Sequence, residues 1–300
     1  MNAIVKRTKD DIIFETINLV FVTGFFIIIL YPLVFIISAS ISDPSLVSQG
    51  KIVLLPKGIT LEGYKRLFQY NDIWMGYRNT ILYTLAGTIV SLFLTLTAAY
   101  PLSRKDFAGK HYFVLFFTVT MFFSGGLVPT FMLLSDLGIR NTVLAQILPG
   151  AAAFWYIVVV RTYYQSSIPD ELKESAMMDG CSNTRLFISI VLPLSKPIIA
   201  VMALFYGVSQ WNSYFNALIY ISNRDLFPLQ LILREILIIN QIDMSLLTTD
   251  GELEAFAKRV ELATLLKYAA IIVSTLPVIL IYPFLQKYFV KGILVGAVKG

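Results

Sequence analysis

Six long runs of apolar residues, none of which contains a charged side chain, alternate with more polar stretches. They cover residues 17–37, 79–100, 112–134, 142–160, 198–221 and 268–285. At about 1.5 Å per residue, each run is long enough to cross about 30 Å of hydrocarbon, given tilt or local thinning at the shorter ones. The pattern predicts an all-α membrane protein with six transmembrane helices.

The first apolar run also has an interpretation as a secretory signal, because the small residues Ser38, Ala39 and Ser40 follow it and suit a cleavage site. The run holds about 21 largely apolar residues, whereas the core of a signal peptide has about 7 to 15. Its length therefore favours a retained transmembrane helix.

Composition supports the membrane assignment and limits the kinds of metal and disulfide site that the chain can form. Hydrophobic residues make up 57% of the chain, charged residues 14%, and the mean hydropathy is +0.73. Such values do not fit a soluble domain. Cys181 and His111 are the single cysteine and histidine, which excludes an internal disulfide, a Cys/His zinc site and an iron–sulfur cluster. No metal site is predicted.

The net charge of +5 predicts the orientation of the chain. With the N-terminus in the cytoplasm, the inside segments are 1–16, 101–111, 161–197 and 286–300, and they hold 13 Lys and Arg against 8 Asp and Glu. The remaining residues hold 11 of each. The whole excess lies on one side, as the positive-inside rule expects. We therefore predict a multi-pass protein of the plasma membrane with both termini cytoplasmic, in contact with lipid and not with nucleic acid.

Two outside loops are long, 38–78 and 222–267, and the second carries seven acidic groups. One interpretation is a solvated loop with a short amphipathic helix. The other is a surface that docks a partner outside the cell.

The cytoplasmic segment 169–193 predicts two short helices with a turn between them. Ser167 or the Ile168-Pro169 step opens the first helix, and Gly180 closes it as a left-handed cap. Asn183 or Thr184 is expected to cap the second helix, and Pro193 to end it.

The spacing within this segment is specific. Glu174-Ser175-Ala176, three residues, Gly180, nine residues, Ile190, one residue and Leu192-Pro193 resembles the EAA loop of binding-protein-dependent ABC importers. That family's pattern is EAA, three residues, G, nine residues, I, one residue, LP. The segment departs from it only at Ser175, where Ala is usual. We call residues 169–193 the EAA loop.

Two further stretches indicate which group of these importers the chain resembles. Gln210-Trp211-Asn212-Ser213-Tyr214 resembles the W-N-x-Y-like stretch of carbohydrate permeases. The C-terminal tail, 286–300, is similar to the end of the maltose-type permease subunit, which reaches the ATPases. The chain is thus identified as a member of the carbohydrate-uptake group, with 1–300 as a single permease domain of the type I importer fold.

The resemblance implies a complex with a second permease subunit, two ATPase subunits and an extracellular sugar-binding protein. The function it implies is ATP-driven import of a sugar or oligosaccharide by alternating access. The chain lacks a G-x-x-x-x-G-K-[ST] phosphate loop, so we expect no enzyme activity and no bound cofactor here, with ATP and Mg²⁺ on the ATPase subunits.

In this family the EAA loop enters a cleft of the ATPase. Glu174 would pair with a basic residue there, Gly180 would permit the turn, and Ala176, Met177 and Leu186 would fill the apolar cleft. The residues implied in coupling are Glu174, Ser175, Ala176, Met177, Asp179, Gly180, Leu186, Ile190, Leu192 and Pro193, and those implied in the tail are Gly296, Lys299 and Gly300.

Trp211, Asn212 and Tyr214 are candidates for lining the sugar path, since aromatic faces and amides commonly hold sugars. The alternative is that the aromatic rings pack between helices.

Other functions remain as alternatives. A permease for a peptide or amino acid shares the EAA loop, and the tail and the Trp211 stretch favour sugar over it. An ion-coupled transporter usually needs ionisable groups inside its helix bundle, and the six apolar runs contain none. A membrane enzyme would need a cluster of His, Asp or Cys at the membrane face, which the sequence lacks.

Overall fold

The structure, a computed structural model, describes residues 8–238, 263–264, 266–281 and 283. Regular structure in this part of the chain is helical, with no strand. The helices are α1 Lys9–Ser40, α2 Pro44–Ser48, α3 Glu62–Gln69, α4 Asn71–Ser103, α5 Lys110–Phe122, α6 Leu127–Asp136, α7 Val143–Ile147, α8 Phe154–Ser167, α9 Asp170–Met178, α10 Asn183–Leu194, α11 Lys196–Trp211, α12 Phe215–Tyr220, α13 Leu229–Ile238 and α14 Leu266–Ile281. The chain divides into two compact units, Met1–Tyr70 with Glu235–Thr275, and Asn71–Arg234 with Leu276–Gly300.

The first unit contains α1, a 32-residue helix whose N-terminus is closed by a capping box between Thr8 and Asp11. Most of its apolar side chains are exposed, as expected for a surface in contact with lipid. Its last residues are buried: the Ser38 hydroxyl donates to the carbonyl of Leu54, and the Tyr64 hydroxyl donates to Ser40 Oγ at 2.8 Å. The candidate cleavage site therefore lies in the buried C-terminal end of α1.

The second unit is organised around α4, a 33-residue helix. It packs most extensively against α11 and α8, and a buried apolar core joins it to α8, α9, α10 and α11. The predicted second span, 79–100, lies wholly within α4, which extends beyond it at both ends. This helix positions most of the residues discussed below.

Two of the predicted spans are divided at glycine residues with positive φ. In 112–134 the chain forms α5 and α6, which are bent by 114°. The break contains Ser124-Gly125-Gly126, where Gly126 has φ 88°. In 142–160 the short α7 is followed by Gly150 at φ 83°, and α8 begins only at Phe154 and runs to Ser167. Positive φ ends a right-handed helix, and glycine accepts it without steric cost.

The predicted fifth span, 198–221, is also divided, because α11 ends at Trp211 and α12 begins at Phe215. Part of the sixth span forms α14, and the rest lies outside the described residues. By length and apolar character, α1 and α4 are each sufficient to cross a membrane, and the bent pairs α5/α6 and α10/α11 qualify as two more. Within the described residues, the uncharged runs therefore coincide with apolar helical segments, but they do not predict helix continuity.

Candidate functional site

The first helix of the EAA loop is α9. Pro169 occupies its N-cap position, and Asp170 and Glu171 lie in its first turn. Proline suits a helix start because its missing N–H is not needed there, and negative charge is favoured by the helix dipole. This start agrees with the Ile168-Pro169 step predicted from the sequence.

The end of α9 is a Schellman motif. The N–H of Cys181 donates to the carbonyl of Ala176 at 3.0 Å, and the N–H of Gly180 donates to the carbonyl of Met177 at 3.0 Å. Gly180 has φ 75°, the left-handed conformation that this motif requires at its position. Asp179 precedes it as the C-cap. The role predicted for Gly180 in the turn is therefore matched by its geometry.

The second helix, α10, differs from prediction at both ends. Its cap is Ser182, whose hydroxyl accepts from the N–H of Arg185, so the expectation of Asn183 or Thr184 was wrong by one or two residues. All of these side chains suit a cap, and spacing alone did not separate them. Pro193 does not end the helix, which continues to Leu194 after a π-helical turn at Phe187–Val191.

Two residues expected to fill the ATPase cleft are buried inside this chain instead. Leu186 is 0% exposed and Ala176 is 9% exposed, and both belong to the core that joins α9 and α10 to α4 and α8. Ile190 and Leu192 pack against the same core, while Pro193 is exposed. These residues hold the loop onto the chain, so the expectation for Ala176 and Leu186 needs correction.

The exposed apolar side chains of the loop include the adjacent pair Met177 and Met178, which are 46% and 89% exposed, as well as Leu172 and Ile188. Met178 was missed by the sequence analysis, although it adjoins the EAA pattern. Methionine adapts its shape to irregular apolar surfaces. This pair is the most exposed apolar part of the turn between the two helices and is available to an apolar partner surface.

The carboxylates of α9 divide into paired and unpaired groups. Asp170 pairs with Lys105 at 2.7 Å and with Lys173 at 3.0 Å, and the hydrogen bond from Lys105, followed by that from Lys173, lowers the pKa of this carboxyl to about 2. Glu174 is exposed and makes no ion pair within the described residues. The Ser175 hydroxyl donates to the carbonyl of Glu171. Glu174 is thus left available for a basic partner.

The three candidate path residues differ in burial and in the groups they contact. Trp211 is buried and its ring lies 6.2 Å from that of Tyr77 on α4, as the packing interpretation expects. Asn212 is exposed and donates to the carbonyl of Val208. Tyr214 is 39% exposed and lies beneath the guanidinium of Arg234.

A polar contact near these residues was missed by the sequence analysis. Gln146 of α7 is 1% exposed, and its side-chain Nε2 donates to Ser213 Oγ at 3.0 Å, while its side-chain Oε1 has no partner among the described residues. A single amide within the uncharged run 142–160 was the available signal. Polar groups inside the membrane are costly and often functional.

A second polar feature follows one face of α4. The hydroxyls of Thr84, Thr88 and Ser91 are buried without a hydrogen-bond partner in the described part of the chain. Gly87 lies on the same face against the side chain of Gln210 on α11, where an added Cβ would come within 2.7 Å. On this face, α4 therefore lies close to α11 and carries polar side chains.

Some predicted features fall on residues that the structure does not describe. Gly296, Lys299 and Gly300 of the tail lie outside the described residues, as do 239–262 of the second outer loop. Within the described residues there is no cluster of three or more His, Cys, Asp or Glu side chains able to hold a metal ion.

The two-helix loop and the apolar helices around it match a known family. The model of the binding-protein-dependent transport system inner membrane component matches residues 73–295. This range covers most of the chain and includes the whole EAA loop, so the chain belongs to this family of ABC importer permeases.

Similar proteins extend over almost the whole length. The chain is 38% identical to the protein LplC of Bacillus subtilis, over 98% of this chain and 97% of that one. It is 37% identical to the polygalacturonan/rhamnogalacturonan transport system permease protein YtcP of the same bacterium, over 96% of this chain and 99% of that one. A crystal structure of a bacterial ABC transporter involved in the import of the acidic polysaccharide alginate contains a chain with a TM-score of 0.82 and 31% identity, covering 95% of this chain and 99% of that one.

Membership confirms part of what the sequence predicted. The chain is an apolar, helical membrane protein with the permease fold of an ABC importer. The family consists of transport components, which work with ATPase and substrate-binding partners. The EAA resemblance therefore identified the right family.

Proposed function

We propose that the chain is a permease subunit of an importer that moves a sugar or oligosaccharide into the cytoplasm. The observation that carries the proposal is the EAA loop, which presents an exposed carboxylate, Glu174, and exposed Met178 on a well-anchored pair of helices. The carbohydrate substrates named for similar permeases, including YtcP and the alginate importer, support sugar as the cargo.

The complex contains a second permease, two ATPases and an extracellular sugar-binding protein. ATP and Mg²⁺ bind to the ATPases. Their closure moves the EAA loops, which turns the permease pair outward so that the sugar passes into a central path. In the ATPase cleft, Glu174 pairs with a basic residue and Met177 and Met178 supply apolar contact. Ser175 and Asp179 lie on the same exposed helix end, and the tail residues Gly296, Lys299 and Gly300 contact the ATPases.

We also propose six membrane crossings with both termini in the cytoplasm. The distribution of Lys and Arg supports this orientation. The crossings are α1, α4, the α5/α6 pair, the α7–α8 segment, α11 with α12, and the segment that contains α14. A broken crossing is tolerated where its irregular backbone is buried in protein or lines a water-filled path.

The exposed residues Asn212 and Tyr214 line the sugar path, and Trp211 supports them by packing against Tyr77. Gln146 joins this group because its carbonyl oxygen is oriented by the hydrogen bond from its amide to Ser213. Buried amides of this kind suit sugar hydroxyls, which both donate and accept.

Reconstitution in proteoliposomes tests the proposal. The chain is assembled with its permease partner and ATPases, and uptake of labelled neutral and acidic oligosaccharides is measured with the partner binding protein outside and ATP inside. We expect uptake that requires both. A partner binding protein that retains peptides or amino acids and no sugar, or uptake driven by a proton or sodium gradient without ATP, would contradict it.

A further inference from the structure

We propose that Arg104 is a positioning residue that sets the angle between the two helices of the EAA loop, and so sets how much of the ATPase movement reaches the membrane. This inference rests on the proposed function. Arg104 follows the last residue of α4, far from the EAA pattern in sequence, and its side chain is only 10% exposed.

The guanidinium is held in a fixed orientation. It binds Asp106 with two parallel hydrogen bonds, from Nε to Oδ1 at 2.7 Å and from Nη2 to Oδ2 at 2.5 Å. Nη1 donates to the Tyr100 hydroxyl at 3.2 Å. These bonds raise the pKa of Arg104 and lower that of Asp106, so both groups stay charged. A bidentate pair of this kind restricts geometry as well as adding energy.

The same guanidinium reaches both helices of the loop. Nη1 donates to Asn183 Oδ1 at 2.9 Å in the first turn of α10. Nη2 lies 3.9 Å from the sulfur of Met177 near the end of α9. The two contacts fall on either side of the Gly180 turn, so one side chain limits how far the helices can open or close about it.

Neighbouring contacts fix the loop to α4 in the same place. Lys105 pairs with Asp170 at the start of α9. From α8, Arg161 Nε donates to the carbonyl of Leu102 at 3.0 Å and Gln165 donates to that of Ser103. The carbonyls at the end of a helix lack internal partners, and these donors satisfy them. These contacts attach the base of the loop to α4, and Arg104 is the one among them that reaches both sides of the turn.

Movement of the ATPase against the exposed end of α9 reaches the membrane helices only if α9 and α10 move as one body. Lysine cannot replace this arginine fully, because its ammonium is a point charge and cannot hold Asp106 and Asn183 in the planar geometry of the fork. We therefore expect Arg104→Gln to separate ATP hydrolysis from transport, and Arg104→Lys to do so less.

The test uses the assembled complex in proteoliposomes. Two quantities are measured for each variant: sugar transported per ATP hydrolysed, and hydrogen exchange of amides in 180–187. Arg104→Gln is expected to lower the ratio of sugar transported to ATP hydrolysed about tenfold, the factor that corresponds to the loss of one charge-assisted hydrogen bond. It is also expected to raise amide hydrogen exchange in the turn. Lys105→Gln is the comparison variant, because it removes a contact between α9 and the chain just after α4 but none that crosses the turn, so it should lower the ratio less than Arg104→Gln and leave exchange in 180–187 unchanged.

Asn183→Ala supplies an independent variant at an exposed position, so that folding is not at issue. It should change both quantities in the same direction, and the double variant with Arg104→Gln should be no worse than Arg104→Gln alone. An unchanged ratio in Arg104→Gln, or additive effects in the double variant, would overturn the inference. Wild-type complex that shows no ATP-dependent uptake would instead contradict the proposed function.

Discussion

The two ends of α4 hold their neighbours in different ways. In its N-terminal half, neutral and mostly buried side chains bind backbone groups of the segment before α13. Asn79 donates to the carbonyls of Asp225 and Phe227, Tyr83 donates to that of Leu226, and Thr80 accepts from the N–H of Leu229. Beyond the C-terminal end, charged and partly exposed groups hold the EAA loop.

The difference separates a fixed attachment from an adjustable one. Buried hydrogen bonds between neutral groups keep one geometry, because breaking them leaves unsatisfied polar atoms. Exposed ion pairs contribute little energy and are screened by salt, so they can be remade as the structure moves. The exposed Asp72–Arg224 pair is the exception in the N-terminal half. Movement of the loop relative to α4 is thus expected at the exposed Lys105–Asp170 pair, rather than at the mostly buried Arg104 guanidinium or at the N-terminal half of α4.

The largest effects are expected on the exposed face of the EAA loop. Glu174→Lys reverses the charge offered to the ATPase and should abolish uptake, while Glu174→Gln should retain part of it. Buried interface contacts of this kind are worth about 2 kcal/mol or more. Uptake by vesicles with equal amounts of protein in the membrane is the measurement. Normal coupling in Glu174→Lys would refute the assignment.

Two substitutions of Gly180, to Asp and to Asn, separate the effect of charge at the turn from that of backbone strain. No atom lies within 4 Å of an added Cβ there, and Asn and Asp both tolerate positive φ better than other residues. Gly180→Asp should therefore abolish uptake through its charge at the interface, whereas Gly180→Asn should lower it less. Equal uptake by the two variants would show that backbone strain, not charge, is responsible.

The N-terminal half of α4 should respond through stability. Gly76→Ala places a Cβ 2.7 Å from Ile232 Cδ1 and 3.0 Å from Leu229 Cα, so α13 must shift. Overpacking of this kind costs about 1 to 3 kcal/mol. Gly207→Ala is the control, since its Cβ meets nothing closer than 3.8 Å. Thermal unfolding in detergent compares them, and equal midpoints would contradict the close packing.

A smaller loss is expected from one hydrogen bond. Thr80→Val keeps the shape but leaves the N–H of Leu229 without its acceptor, which should cost about 1 kcal/mol. Thr88→Val on the same helix removes a hydroxyl that has no partner among the described residues, and it should be neutral or stabilising. The same unfolding assay applies, and a larger loss for Thr88→Val would reverse the interpretation.

The smallest effect concerns pH at the loop end. The pKa of Asp170 is lowered to about 2, chiefly by Lys105. A lowered folded pKa means that the stabilisation is present above the ordinary pKa and is lost only as pH falls through about 2. The difference in α9 amide exchange between wild type and Asp170→Asn should therefore be the same at pH 5 and pH 8. A difference that shrinks at pH 5 would show that the pKa of this carboxyl is raised, and no difference at either pH would show that its pKa is unchanged on folding.

Local signals in the sequence predicted the EAA loop well. The start of α9 and the turn at Gly180 depend on proline, acidic residues and glycine at short spacing, and these act within one helical turn. The cap of α10 was misplaced because Ser182, Asn183 and Thr184 are adjacent and chemically similar.

Other features depend on contacts that no local pattern records. Hydrophobic length indicated where the chain meets lipid, but the breaks near Gly126 and Gly150 depend on positive φ, which a glycine permits without requiring. The contact between Arg104 and Asn183 joins residues 79 apart in sequence. The burial of Ala176 and Leu186 likewise follows from packing against α4 and α8. The EAA pattern alone did not distinguish residues that face the ATPase from residues that pack inside this chain.

The π-helical turn at Phe187–Val191 gives α10 an unusual tolerance to changes in chain length. There the N–H of Leu192 bonds to the carbonyl of Phe187, five residues back, so the turn holds one residue more than an α-helical turn. Deleting one residue within it lets the helix close to α geometry with both flanking faces in register. The same deletion elsewhere in the helix would rotate one flank by about 100°. A deletion there would therefore keep the two flanking helix faces in the same orientation, while shortening the spacing between Gly180 and Pro193 that the EAA pattern fixes.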